Sequence, residues 1–212
     1  MNRIDSSRRS LRLGAVAAAL AAASLLSACA PLLIGGALIG GSMVAIDRRT
    51  GGTQVDDESI EIKSINRLSD AIGARGHVNV TSYNRLALIT GEVPSEADKA
   101  AAGQAVGRIE NVTGVVNELA IGAPSSITDR SNDTVRTSKV KASLVDAKDL
   151  QSNAFKVVTE RRVVYLMGRV TEREAARAAD VARGVNGVRK VIRVFEIVSE
   201  ADLANGRPAA KL

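Results

Sequence analysis

One cysteine, one histidine and no tryptophan occur in 212 residues, and aromatics make up 2 %. A single Cys cannot close a disulfide within the chain, so no internal bridge braces the fold. A lone histidine, His77, without a second His or a partner Cys, leaves neither a metal cluster nor a nucleophile–base pair to assemble. The scarcity of aromatics removes the stacking platforms on which single-stranded nucleic acids and sugars settle. No Gly-rich phosphate loop follows a strand. These gaps argue against catalysis, against a metal or other cofactor, and against nucleic acid.

The one Cys stands in a telling place. The chain opens with MNRIDSSRRSLRL, in which Arg3, Arg8, Arg9 and Arg12 face one acid, Asp5. GAVAAALAAASLL follows, apolar but too short to span a bilayer comfortably, which takes about 20 residues. Then comes LSAC, ending at Cys29. A basic start, a short apolar core and small residues before a cleavage point make a secretory signal. Leu26-Ser27-Ala28-Cys29 resembles the lipobox of bacterial lipoproteins. That resemblance implies cleavage before Cys29 and acylation of Cys29. The residue after it is Ala30, not the Asp that retains lipoproteins in the inner membrane, which implies the outer membrane, facing the periplasm. SRRSLRL also resembles a twin-arginine motif, although an ordinary basic leader explains it as well.

The chain carries 29 Lys and Arg against 23 Asp and Glu, a surplus of +6, and half of it lies in the leader. An exported protein rarely meets nucleic acid, so a modest remaining surplus points to anionic lipid headgroups or to no charged partner at all. APLLIGGALIGGSMVAI after Cys29 is apolar, but its four glycines weaken any helix by about 1 kcal/mol each. It reads as a tether rather than a span.

From Asp56 the pattern is written twice. Ile62, Ile65, Leu68 and Ile72 recur at helical spacing. HVNVTSYN and RLALITGEV read as two strands, PSEADKAAAGQAVGRIEN as a helix from Ser95, and VTGVVNELAI as a third strand. The same order returns in NDTVRTSKVKASLVDAK (a helix capped by Asn132 or Asp133), AFKVVTE, RRVVYLMGRV, TEREAARAADVARGV (with the capping box Thr171-x-x-Glu174) and VRKVIRVFEIV. Leu86 matches Val163, Leu88 Tyr165, Gly91 Gly168 and Val93 Val170, each 77 residues apart. A repeat this long is a duplicated domain. The expected class is α+β: two tandem units, each helix-strand-strand-helix-strand, with two helices on a three-stranded mixed sheet. The divisions are a signal peptide (1–28), the lipidated Cys and Gly-rich tether (29–55), a first domain (56–122), a linker (123–131), a second domain (132–199) and a flexible tail (200–212).

LALITGEVPSEADKAAA with NVTGVVNELAI, and VVYLMGRVTEREAARAA with NGVRKVIRVFEIV, resemble the BON-domain family, in tandem behind a lipobox as in its dual-domain outer-membrane lipoproteins. The resemblance implies a membrane-tethered periplasmic module that binds phospholipid, supports outer-membrane integrity and catalyses nothing.

The residues themselves offer one candidate surface. On the first helix of the second unit, Val140, Leu144 and Ala147 share the core sector, whereas Val135 and Lys139 fall opposite and Arg136 at the edge. Lys141, Val145 and Lys148 share another sector. Apolar and basic side chains together suit an anionic membrane, and the resemblance implies that this helix faces it; a solvated basic face stays open as the plainer reading. Two other partners remain: an outer-membrane assembly protein held on a sheet edge or between the domains, and a cell-wall polymer. Acid pairs Asp56-Asp57 and Glu172/Glu174 read as helix-start charges, and Gly91 and Gly168 as close backbone contacts.

Overall fold

A computed structural model describes residues 47–204. The expected signal peptide, Cys29, residues 30–46 of the expected tether and residues 205–212 of the expected tail lie outside the described residues.

The first repeat runs α1 (Gly51–Ile72), β1 (His77–Tyr83), β2 (Leu86–Val93), α2 (Glu96–Gly107), β3 (Gly114–Asn117) and β4 (Ala120–Ile121). The second runs α3 (Ile127–Asp146), a short 3-10 turn (Ser152–Ala154), β5 (Phe155–Glu160), β6 (Val163–Val170), α4 (Glu172–Arg183) and β7 (Lys190–Ile197), followed by α5 (Glu200–Ala204). In each repeat an antiparallel hairpin is followed by a helical crossover to a strand parallel to its second arm. The two sheets are separate. In the first, the third strand is split into β3 and β4, which pair with β2 on the same line.

Both leading helices begin earlier than their apolar patterns suggest. Thr50 caps α1, its Oγ1 accepting from the Thr53 N–H at 3.2 Å, so Gly51–Val55 of the expected tether is helix. Ser126 caps α3 at 3.1 Å from the Asp129 N–H, so neither Asn132 nor Asp133 is the cap and part of the expected linker is helix. The buried stripe of α1 is also different: Ile60, Ser64, Leu68 and Ile72 face the core, while Ile62 and Ile65 are 57 % and 67 % exposed. Ser64 disguised that stripe. It is buried because its hydroxyl donates to the Glu61 carbonyl at 2.6 Å, which satisfies the polar group without water.

Asp57 and Asp133 do a different task from capping. Each hairpin closes through two non-glycine residues at positive φ, Asn84 and Arg85 (51° and 67°) and Arg161 and Arg162 (53° and 64°). That turn matches strand twist but costs roughly 1–2 kcal/mol per residue. Buried Asp57 offsets the cost by accepting from the Asn84 N–H at 2.8 Å, the Arg85 N–H at 2.7 Å and the Ser82 hydroxyl at 2.7 Å. Asp133 repeats the arrangement, accepting from the Arg162 N–H at 3.1 Å. Asp56 instead pairs with Arg85 at 2.6 Å.

Each sheet packs one face on its own two helices, around Ile60, Ile89 and Val106 in the first repeat and Leu144, Leu166 and Ala179 in the second. The opposite faces meet each other. Tyr83, Leu88, Val163, Tyr165, Met167 and Val194 form a third buried cluster contributed by both repeats. The result is four layers, helices–sheet–sheet–helices. It explains why β6, VVYLMGRV, is buried at every position and shows no polar alternation: a strand covered on both faces has no wet side. Gly91 and Gly168 sit where a Cβ would collide with the carbonyl oxygens of His77 and Ala154. Both are close backbone contacts, as expected.

Candidate functional surface

The candidate helix α3 turns Val140 and Leu144 into the core at 0 % and 1 % exposure. Its other side carries Val135 at 52 % and Val145 at 64 %. Lys139 and Lys141 are exposed on α3, and exposed Lys148 follows its C-cap, Ala147. Ile127, 76 % exposed, belongs to this face as well. It lies 18 residues before Val145, which at 3.6 residues per turn is five whole turns and hence the same line along the helix. Sequence reading missed it by placing it in the linker. Ser131, Ser138 and Ala142 lie between, and no acid stands on that line. Aliphatic side chains at both ends and the middle, flanked by lysines, can lie on a surface that is apolar below and negative above.

Arg136 does not join them. Its Nη1 donates to Asp133 Oδ1 at 2.9 Å, its side chain is 20 % exposed, and its Nε lies against Gly187. It braces the aspartate that holds the second hairpin. The geometry therefore brings together Val135, Lys139, Lys141 and Val145, with Lys148 beyond the helix end, and leaves Arg136 in a structural role.

Sequence reading also missed a clamp where the chain enters the body. Arg48 donates both guanidinium arms to Glu174, Nη1 to Oε2 at 2.7 Å and Nη2 to Oε1 at 2.8 Å. It reaches the Arg169 carbonyl at 3.0 Å and Gln151 Oε1 at 3.3 Å besides. Both side chains of the ion pair are over nine-tenths buried, at 8 % and 6 % exposed. The hydrogen bonds from Arg48 hold the Glu174 carboxyl below its ordinary value, against an opposing push from burial. Next to it, Arg49 bridges Asp47 and Asp57 and stacks 4.5 Å over the Tyr83 ring. Gln151 is three residues past Lys148, so Arg48 packs near the C-terminal end of α3. Glu174 also completes the expected capping box with Thr171.

His77 shows no catalytic geometry. Arg130 Nη1 lies 3.2 Å from its Nδ1 and Asn79 Nδ2 lies 3.1 Å from its Nε2. Burial and the Arg130 charge push its pKa down. Among the described residues no three His, Cys, Asp or Glu side chains gather as a metal site, and no helix is long and apolar enough to cross a membrane.

The BON domain model matches residues 56–123 and again 132–199, the two repeats. The chain belongs to the BON-domain family. It is 38 % identical over 179 residues to the outer membrane lipoprotein DolP of Haemophilus influenzae, covering 84 % of this chain and 92 % of that protein. A 21 kDa hemolysin of Actinobacillus pleuropneumoniae is 35 % identical, over 72 % of this chain and 80 % of its own length. The osmotically inducible protein Y of Escherichia coli is 29 % identical, over 66 % of this chain and 72 % of its own. The split third strand, the two aspartate-held hairpins and the sheet-to-sheet packing are thus features of a tandem BON protein of the outer membrane lipoprotein kind.

Proposed function

We propose that this BON protein is held in the outer membrane by acyl chains on Cys29, faces the periplasm, and docks on anionic phospholipid through α3 of its second domain, supporting the integrity of that membrane by binding rather than by catalysis. The observation that carries the reading is the outer face of α3, where Ile127 and Val145 share one line and Val135 lies about 80° round from it, exposed at 76 %, 64 % and 52 %, with Lys139, Lys141 and Lys148 beside them. Each well-placed Lys near an anionic bilayer contributes about 1 kcal/mol. The clamp at Arg48 supports the same orientation. From Cys29 to Arg48 the chain can reach at most roughly 65 Å, and it arrives beside Lys148.

The test is sedimentation of the full-length chain, carried in a maltoside detergent and diluted into phosphatidylglycerol or phosphatidylcholine vesicles. Lys139→Glu with Lys141→Glu turns two attractions into repulsions, a loss of a few kcal/mol, which is tens to thousands of fold in affinity. Arg136 stays intact, because its substitution would disturb Asp133 and the hairpin. Preference for phosphatidylglycerol that survives in a folded double variant rules out α3 as the docking surface.

A further inference from the structure

One sheet edge in the first domain is left open. β1, HVNVTSY, holds no Lys, Arg, Asp, Glu or Pro, the residues that ordinarily blunt an edge strand. It pairs with β2 on one side and forms the margin of its sheet. The other margins differ: β5 carries Lys156 and Glu160, β7 carries Lys190, Arg193 and Glu196, and the outer strand of the first sheet is split into β3 and β4.

The two-residue turn makes Tyr83 and Leu86 an inward-bonded pair, so Ser82, Val80 and Val78 direct their N–H and C=O groups outward. Ser82 bears this out. Its N–H donates to Glu61 Oε1 at 2.8 Å and its carbonyl accepts from Lys156 Nζ at 3.0 Å. Side chains thus close the far end of the edge. At Val78 and Val80 nothing among the described residues takes the outward groups.

Beside that open stretch, between β1 and α1, lies a cleft of about 500 Å³ lined by Ile62, Ile65, Leu68, Ile72, Val78 and Val80 among others. Ile62 and Ile65, large and aliphatic, are more than half exposed there. The charged residues of the lining are Glu58 and Glu61, with no base. Glu61 is held by Ser82 and by Lys156 at 2.7 Å. Glu58 is exposed and has no ion-pair partner among the described residues.

We propose that β1 is an acceptor strand that takes a short extended segment of another protein, apolar at alternate positions and bearing a Lys or Arg. The segment pairs through its main chain with Val78 and Val80, lays its apolar side chains on Ile62 and Ile65, and sets its cation against Glu58. Two residues with outward groups offer four hydrogen bonds, enough for a segment of roughly four to five residues. Glu58, the carboxylate of the lining without an ion-pair partner among the described residues, repels an anionic headgroup, which separates this cleft from the proposed lipid face of α3. A second copy presenting its own β1 would bring like charges together.

The test uses the full-length chain in a maltoside detergent and a fluorescein-labelled peptide of six residues alternating Val and Lys, followed by anisotropy. Saturable binding is expected, at least tenfold tighter than for the matching Val and Glu peptide, and at least tenfold tighter than for a Val and Lys peptide N-methylated at alternate amides. Glu58→Lys should reverse the charge preference. Val80→Pro removes an outward N–H that takes no part in the β1–β2 ladder and should weaken binding tenfold, read at a temperature well below the variant's own melt because Val80 also packs against the first core. If that variant fails to fold, the N-methylated peptide decides. No saturable binding, equal binding of the two charge patterns, or undiminished binding of the N-methylated peptide overturns the proposal. So does a concentration-dependent dimer that excludes the peptide, which would make the edge a self-pairing surface.

Discussion

Replacing Arg48 by Met removes a guanidinium that makes two short hydrogen bonds to Glu174, at 2.7 Å and 2.8 Å, and leaves a carboxylate 6 % exposed with no cation. Breaking a buried pair from one side costs about 3–5 kcal/mol, because the remaining charge stays desolvated. Glu174 keeps the Thr171 N–H at 3.0 Å, and the chain end can move to admit water, so the lower figure, about 3 kcal/mol, applies. In a domain of this size 1 kcal/mol shifts the melting temperature by about 2–4 °C, so a fall of about 6–12 °C is expected in a thermal melt followed by circular dichroism. Glu174 titrates lower in the folded protein than its ordinary value of about 4.3. The contribution of the pair is therefore full above that ordinary value and is lost as pH falls through the lower folded value. Without Arg48, burial raises the Glu174 carboxyl in the variant, so the gap between wild type and Arg48→Met should be full at neutral pH, begin to narrow above the ordinary carboxylate value, and go on narrowing toward pH 3. A second readout is local. Trypsin cleaves after Arg48 only when the clamp opens, so Glu174→Gln should speed that cut at least tenfold at temperatures far below unfolding. A variant within 1 kcal/mol of wild type, or cleavage at an unchanged rate, would refute the clamp.

Asp57→Ala should cost about 3 kcal/mol or more by urea denaturation, since two turn N–H groups and the Ser82 hydroxyl lose a buried acceptor; Asp133→Ala, with one turn N–H at stake, should cost less. Gly91→Ala places a Cβ on the His77 carbonyl oxygen at φ 116° and should lower the melting temperature by several degrees, whereas Gly122→Ala, with open space around it but a φ of 155°, should cost far less. Residues 56–122 expressed alone expose Tyr83 and Leu88, now buried at 4 % and 0 %, and should aggregate or dimerise in sedimentation; a stable monomer would show that the sheet faces do not need each other.

The duplicated order of elements was legible because each strand and helix kept its period, and because paired residues such as Leu88 and Tyr165 stand 77 apart. Three things were not. The α1 stripe was hidden because a serine occupies a core position and satisfies itself on its own helix. The starts of α1 and α3 were hidden because Gly51, Gly52 and Ser131 look like loop residues, while the caps that begin the helices, Thr50 and Ser126, act through one hydrogen bond each. The Arg48 clamp was hidden because its partner is 126 residues away, and no local pattern encodes so distant a pair. On α3, the exposure of Val135, Lys139 and Val145 followed from helical angle alone. That of Arg136 did not, because its orientation is set by Asp133 and Gly187 rather than by the helix.

Joining the two sheets face to face has a consequence for where such a protein can bind anything. Burying Leu88, Val163, Tyr165, Met167 and Val194 against one another consumes the broad open face that a lone three-stranded sheet would offer. What remains is helix backs, strand edges and turns. The two helix backs have diverged from a common start. Aligning buried Asp57 with Asp133 sets Ser64 against Val140 and Leu68 against Leu144 on the core side, so the fold is common to both. On the outer side Val135 stands against Ser59, Lys139 against Lys63, and Val145 against Ser69, so the aliphatic line of α3 has no counterpart in α1. Conversely, exposed Ile62 and Ile65 stand against Ser138 and Lys141, so the apolar flank of α1 beside β1 has no counterpart in α3. Exposed aliphatics at non-equivalent positions are not inherited from one ancestral surface. They mark two surfaces of different chemistry, one basic beside the tether and one acidic beside an open strand. Transplanting Val135 and Val145 onto the first domain, as Ser59→Val with Ser69→Val, tests the division. Lys63 is already exposed there but paired to Glu110 at 3.2 Å, so the exchanged helix should gain less than tenfold affinity for phosphatidylglycerol vesicles. A gain as large as the loss expected from Lys139→Glu with Lys141→Glu would show that any aliphatic helix back on this scaffold serves, and that the lysines of α3 contribute nothing specific.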